Sequence, residues 1–359
     1  MARQRSPIPM SGSVKNRPAS DPAMKIKTKT LRPPLTIQDY ADGLLEGNIM
    51  MLGRAVTLVE STKPAHQELA SELINAILPY TGKSVRIGIT GVPGVGKSTF
   101  IEAFGMHLAT QGRRIAVLAI DPSSSISKGS ILGDKTRMEK LSVHPNAFIR
   151  PSAASGSLGG VAYKTRETTL LCEAAGFDTI IIETVGVGQS ETEVSQITDF
   201  FLLLMLAGAG DELQGIKRGI MELADGLVIT KADGNNVEKA KAARSEYARA
   251  LHFLPPHPSG WVPEVKIASS YEQKGIAEIQ EMIEKYVGHQ KANGYFFRKR
   301  QEQDLHAFRR LLGEQLQQLL YRRPGLREGI EQLEQDISRQ QISPYAAVQR
   351  ITARITGTV

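Results

Sequence analysis

The stretch RIGITGVPGVGKSTFIEAFGMHL, Arg86 to Leu108, decides the fold. It opens as a short apolar run suited to a buried strand, turns through glycines, and continues with the three- and four-residue apolar spacing of a helix. Inside it, GVPGVGKS (Gly91 to Ser98) has the form G-x-x-x-x-G-K-S. Glycines there let the backbone turn so tightly that successive N–H groups point inward at phosphate oxygens, and the positive end of the following helix adds to the field. Gly91, Val92, Pro93, Gly94, Val95, Gly96, Lys97, Ser98 and Thr99 form the expected nucleotide cradle. Lys97 is expected to reach the β- and γ-phosphates, and Ser98 to ligand Mg²⁺.

Working outward, the chain alternates apolar strands with helical stretches. Strands are read at VRIGIT (from Val85), RIAVLAID (Arg114), AFIRP (Ala147), DTIIIE (Asp178), DFFLLLML (Asp199), GLVIT (Gly226) and VKIAS (Val265). Apolar strands separated by helices imply an α/β fold: a mainly parallel P-loop NTPase sheet with helices on both faces. Three helical patterns precede it, in TIQDYADGLLEGN, IMMLGRAVTLVES and AHQELASELINAILPYTG, the first opening on a Thr cap. The expected organisation is a disordered basic tail over 1–35, an N-terminal helical segment over 36–82, the nucleotide domain over 83–289 and a C-terminal helical segment over 290–359. That last segment carries an apolar stripe of Leu305, Phe308, Leu312, Leu316, Leu319 and Leu320. Such a stripe packs on the chain's own core more often than on a partner, and its place after a complete domain also fits contact between subunits.

A bound magnesium needs more hard oxygen ligands, and acids at strand ends supply them. Asp121 ends VLAID, Asp134 lies in the loop after that strand, and Glu183 ends TIIIE. The run ETVGVGQ has the form of a D-x-x-G switch with Glu183 in place of Asp. The N–H of Gly186 is then expected to meet the γ-phosphate, so that loss of the phosphate releases the loop. Val187 stands where Ras-like proteins carry a water-orienting Gln, and Gln189 is two positions on. Slow intrinsic hydrolysis, helped by another loop or a partner, is expected.

VITKAD places Thr230, Lys231 and Asp233 at a strand end, in the manner of N-K-x-D with Thr for Asn. A carboxylate accepts from guanine N1–H and its 2-amino group, whereas adenine offers neither donor and leaves a buried charge unpaired. Lys231 can lay its stem along the base. Ala268 and Ser269, in KIASS, occupy the place of the last base loop, where a backbone N–H is expected to meet the guanine carbonyl. The expected ligands are GTP or GDP with Mg²⁺.

Composition narrows the partners. The chain of 359 residues carries a net charge of +7, with 41% hydrophobic and 23% charged residues, which suits a sizeable core. Much of the excess lies near the start, where Arg3, Arg5, Lys15, Arg17, Lys25, Lys27, Lys29 and Arg32 face only Asp21. No basic stripe with interleaved aromatics appears, so no nucleic-acid partner is expected. The longest apolar run, Phe200 to Gly210, is too short to span a bilayer, so no membrane partner is expected either. The single cysteine, Cys172, permits no internal disulfide and suits a reducing compartment. A cytoplasmic location is expected. An Arg-rich, acid-poor start leaves a mitochondrial matrix location as the minority reading, which its prolines oppose.

Six segments together resemble one family: GVPGVGKST, DPSSSISKGSILGDKTRM, HPNAFIRPS, GSLGGVA, FDTIIIETVGVGQSE and AGAGDELQGIKRGIMELAD. Over roughly residues 36–290 the chain resembles the MeaB/ArgK-type G proteins of the SIMIBI class, bacterial relatives of the human methylmalonic aciduria type A protein. The resemblance implies a GTPase chaperone that gates adenosylcobalamin delivery to a B12-dependent acyl-CoA mutase and protects or reactivates it. The mutase's adenosyltransferase is a further partner that the resemblance implies. Ser98, Asp121, Asp134 and Glu183 then look like the magnesium and switch ligands. GDELQGIK is similar to the family's additional mobile switch, with Lys217 the candidate for bringing positive charge to the transferred phosphate. Homodimers through the C-terminal helices are implied as well. The alternatives are a nickel metallochaperone GTPase, which needs Cys or His ligands, and a transport-associated ATPase or kinase. No D-x-H-x-x-G cobalamin signature is present, so tight B12 binding by this chain is not expected.

Overall fold

The structure is a computed structural model that describes residues 35–120, 138–151, 158–184, 190–208 and 218–357. The basic stretch 1–34 lies outside the described residues, as do Asp121, Asp134, Gly186, Gln189 and Lys217.

Three helices come first: α1 (Ile37–Leu45), α2 (Ile49–Glu60) and α3 (Pro64–Ile77). The start of α1 is a capping box. The Thr36 hydroxyl accepts from the Asp39 N–H at 3.1 Å, and the Asp39 carboxylate accepts from the Thr36 N–H at 2.8 Å. Asn48 caps α2 in the same spirit, accepting from the N–H groups of Met50 and Met51 at 3.0 and 3.1 Å.

The nucleotide domain follows as β1 (Val85–Gly91), α4 (Lys97–Thr110), β2 (Ile115–Ile120), α5 (Glu139–Ser142), β3 (Ala147–Pro151), α6 (Leu158–Ala174), β4 (Thr179–Thr184), α7 (Ser190–Ser195), β5 (Phe200–Leu206), α8 (Arg218–Leu223), β6 (Gly226–Thr230), α9 (Val237–Leu251), β7 (Glu264–Ile267) and α10 (Ile276–Ala292). The seven strands form one sheet in the order β3-β2-β4-β1-β5-β6-β7. Every neighbouring pair is parallel. The apolar runs are continuous because both faces are covered. Ile87, Ile89, Val117, Ile181, Leu202 and Leu204 meet α4 and α10, while Ala116, Leu118, Ile180, Ile182 and Phe201 meet α1–α3 and α6. A third cluster joins Leu203, Met205, Leu227 and Ile229 to Ala240, Ala243 and Tyr247 of α9. Burying each large side chain contributes about 1.5–3 kcal/mol. β1 lies between β4 and β5, so chain connections leave it in opposite directions, and the crevice at its carboxyl end is where ligands bind in such sheets.

The C-terminal helices are α11 (Tyr295–Arg322), α12 (Leu326–Ser338) and α13 (Pro344–Thr356). The first turns of α11 are tied to the sheet by a buried ionic network. Arg300 donates to both oxygens of Asp199 at 2.8 and 2.6 Å and to the carbonyls of Gly82 and Ser84 at 2.8 and 2.7 Å. Asp199 also accepts from the Arg86 N–H at 2.8 Å, and the Arg86 guanidinium is bidentate on Glu173 at 3.0 Å. Beyond this anchor the stripe does not behave as own-core packing would have it. Leu305, Phe308, Leu312, Leu316 and Leu319 are 47–60% exposed. Gln303, Ala307 and Arg310 occupy the side of the helix that faces α6 and α7, and the stripe lies on the opposite side.

Burial raises the Asp199 pKa, but hydrogen bonds and charge from Arg300, with help from Arg86, outweigh it and hold the carboxyl below the usual aspartate value. An acid with a depressed folded-state pKa contributes stability above its unfolded pKa and loses it as pH falls through the folded one. Arg300→Met removes the main counter-charge and leaves Asp199 in a site that favours its neutral form. The variant is expected to lose about 3 kcal/mol at neutral pH. The deficit should narrow as pH falls, because protonation relieves the unpaired buried charge of Asp199 in the variant while the unsubstituted protein loses its own Asp199 contribution. Thermal melts from pH 4 to pH 8 check both, and superimposable curves would refute the network's role.

Candidate functional site

The glycine turn sits where β1 delivers it, at the crevice. Gly91 has no room for a side chain: a Cβ there would lie 2.5 Å from the Leu204 carbonyl oxygen of β5. Gly96 holds φ at +90° as the residue before α4, a left-handed conformation that glycine adopts without strain. Lys97 and Ser98 therefore open α4, a 14-residue helix whose N–H groups face the turn. The Lys97 ammonium curls over the turn, donating to the Gly91 carbonyl at 2.8 Å and the Val92 carbonyl at 3.4 Å. Burial lowers its pKa, opposed by the negative charges of Glu183 and Glu191.

Across the sheet, Ile89 of β1 is in register with Glu183 of β4. That pairing brings the strand-end acid to the cradle, where the Ser98 hydroxyl donates to Glu183 Oε1 at 3.3 Å. One step on, the Thr184 and Thr90 hydroxyls are hydrogen-bonded at 2.8 Å, locking β4 to β1 just below. A hydroxyl and a carboxylate held together beside an anion cradle are the hard oxygen donors that Mg²⁺ prefers, so this donor set fits the ion. Among the described residues no group of three His, Cys, Asp or Glu side chains is clustered for a metal. Asp121 follows Ile120, the last residue of β2, and it and Asp134 lie outside the described residues.

The base loop is joined to the phosphate loop. Thr230, at the end of β6, donates its hydroxyl to the Val95 carbonyl at 2.8 Å, with the Met205 carbonyl at 3.2 Å. The hydroxyl thus ties the two loops together, which the substitution of Thr for Asn leaves intact. Lys231 has a left-handed φ of +55°. Its Cε comes within 3.9 Å of a Cβ built on Gly96, so its stem crosses the phosphate turn. Asp233 accepts from the Ser269 hydroxyl at 2.9 Å. The amides of Ala268 and Ser269, expected near the guanine carbonyl, have partners within the protein. The Ala268 N–H donates to the Ile229 carbonyl at 2.9 Å, and the Ser269 N–H to the Lys274 carbonyl at 3.0 Å. The first belongs to the sheet end and the second to a small antiparallel bridge, while the Ser269 hydroxyl is the group that reaches Asp233. Sequence reasoning also passed over Glu191, which is 2% exposed and acts on Lys97. Only its place directly after the ETVGVGQS run could have signalled it.

An all-parallel sheet, a phosphate loop at its switch point and a base loop latched to that turn define a P-loop nucleotide hydrolase. Comparison with known proteins narrows the class. The sequence model of the family described as methylmalonyl Co-A mutase-associated GTPase MeaB matches residues 52–324. The chain belongs to this family and is a GTPase. The GTPase ArgK of Escherichia coli is 48% identical over 281 residues, covering 78% of this chain and 85% of that protein. The mouse mitochondrial methylmalonic aciduria type A homolog is 44% identical over 315 residues, covering 85% of this chain and 76% of that protein. The crystal structure of a protein described as a LAO/AO transport system kinase superimposes with a TM-score of 0.72 at 38% identity, covering 89% of this chain and 97% of that one.

Proposed function

We propose that this GTPase is a chaperone for a B12-dependent acyl-CoA mutase, methylmalonyl-CoA mutase or a relative, that gates adenosylcobalamin loading and protects or reactivates the enzyme. The observation that carries the reading is the match to a mutase-associated family over residues 52–324. The site supports it, because a nucleotide-dependent gate needs a phosphate sensor. In this reading Ser98 and Glu183, with Asp121 and Asp134, hold Mg²⁺, whose charge offsets that of the phosphates. Lys97 binds the β- and γ-phosphates, and the Gly186 N–H registers the γ-phosphate. Lys217 brings further positive charge to the phosphoryl oxygens when the partner docks. Asp233, oriented by Ser269, selects guanine, and Lys231 lies along the base. The protein works in the cytoplasm.

A homodimer is part of the proposal. The stripe from Leu305 to Leu319 repeats at three- and four-residue spacing and is about half exposed, so a second copy would cover it. A monomer mass in solution at micromolar concentration would remove this element.

Two other readings fare worse. A nickel chaperone needs Cys or His ligands, but Cys172 is fully buried and burial pushes its thiol pKa up, away from thiolate. A transport-associated kinase or ATPase is suggested by the name of the protein in the similar crystal structure, and the Asp233–Ser269 pair disfavours adenine. Competition between GTP and ATP separates that case.

The deciding experiment mixes the protein with purified B12-dependent acyl-CoA mutases in the presence of GDP or a non-hydrolysable GTP analogue. A nucleotide-dependent complex and faster GTP hydrolysis are expected with at least one. Neither effect with any of the methylmalonyl, isobutyryl, ethylmalonyl or 2-hydroxyisobutyryl enzymes would overturn the proposal.

A further inference from the structure

Helix α7 is six residues long, too short to hold its place by its own hydrogen bonds. Two contacts place it. Inward, Val194 is fully buried against the sheet, where a Cβ on Gly88 of β1 would come within 2.9 Å of it. Gly88 therefore lets α7 settle onto the strand that feeds the phosphate loop. On the same short helix Glu191 is 2% exposed. Outward, Glu193 forms an ion pair with Arg310 of α11, a residue 117 positions away in sequence. The carbonyl of Thr198, just after α7, accepts from Gln303 Nε2 at 2.8 Å. Glu193, Gln303, Arg310, Tyr163 and Arg166 surround a cavity of only 20 Å³, so α6, α7 and α11 meet closely.

We propose that Arg310 is a positioning residue for GTP hydrolysis: through Glu193 it holds α7, and with it the buried Glu191, against β1, the strand that feeds the phosphate loop. The competing account is an ordinary surface ion pair, worth roughly 0–1 kcal/mol and without effect on turnover. The side chains of Arg310 and Glu193 are 23% and 31% exposed, so the pair is more sheltered than that account assumes. The chemistry of the reaction needs its groups placed closely, and a displacement of about 1 Å costs up to roughly a hundredfold in rate.

The test compares Arg310→Ala, Glu193→Gln, and the swap Glu193→Arg with Arg310→Glu, using the full chain without a partner. Each single variant is expected to lower kcat for GTP on the order of tenfold, with KM changed by less than about twofold. Melting temperatures should stay within about 2 °C of the unsubstituted protein, since the pair is a small part of its stability. The swap should recover kcat to within about threefold, because opposite charges again meet across the joint. A kcat for both single variants within about twofold of the unsubstituted protein would overturn the proposal, as would a loss the swap leaves unrepaired. A loss that follows a fall in melting temperature would equally assign the pair a merely structural role.

Discussion

Lys97→Ala should leave a folded protein that no longer turns over GTP. The ammonium is partly buried, and two backbone carbonyls of the turn hold it at 2.8 and 3.4 Å. Those carbonyls lose little when it moves, because a charge on a flexible stem can exchange them for phosphate oxygens. Burial works against the protonated form, while Glu183 and Glu191 supply negative charge that retains it. Alanine leaves the phosphate charge without this counter-ion in a water-poor site. Removing one preorganised electrostatic contact of that kind costs about 3–4 kcal/mol, or 10²- to 10³-fold in rate. The fold should survive, since the glycines and α4 set the turn and the lysine tip does not. Single-turnover hydrolysis alongside a thermal melt reads both parts. Turnover at the unsubstituted rate would show that the triphosphate is held elsewhere.

What could be read in advance follows the range of the interactions. The phosphate turn, the strands and the three opening helices depend on neighbours within a few residues: the spacing of glycines, runs of Ile and Leu, a Thr36–Asp39 box. Register is a longer-range matter. Nothing in ETVGVGQ alone places Glu183 opposite Ile89, yet that pairing brings its carboxylate to Ser98. The base loop illustrates the limit. Its residue types were legible, but the amides of Ala268 and Ser269 were committed by β6 and Lys274, partners that spacing does not reveal. The α11 stripe carries the opposite lesson. Apolar periodicity says that a face wants cover, and only the long-range contacts of Gln303 and Arg310 decide which face of the helix the same chain covers. Arg310 and Glu193, on an ordinary charged surface by composition, gain meaning only from being joined across 117 residues.

Asp233→Asn should exchange the preferred base from guanine to xanthine. Guanine presents N1–H and a 2-amino group, two donors that a carboxylate accepts together. An asparagine amide can accept only one of them and turns its own N–H₂ toward the other, so two donors meet. Hydrogen bonds to a charged group contribute about 1.5–3 kcal/mol each, so GTP affinity should fall by roughly a hundredfold or more. Xanthine has a carbonyl in place of the 2-amino group and is matched by the amide. The Ser269 hydroxyl at 2.9 Å makes the exchange workable, because a hydroxyl that donates to a carboxylate can equally donate to an amide oxygen. It then steers the N–H₂ toward the base. Ser269→Ala in the Asp233→Asn background should consequently weaken xanthosine triphosphate binding again, while leaving the turn held by Thr230 and Val95 intact. Competition binding of GTP, xanthosine triphosphate and ATP measures all three arms. An Asp233→Asn protein that still preferred GTP would mean that the base is read by some other edge of the crevice.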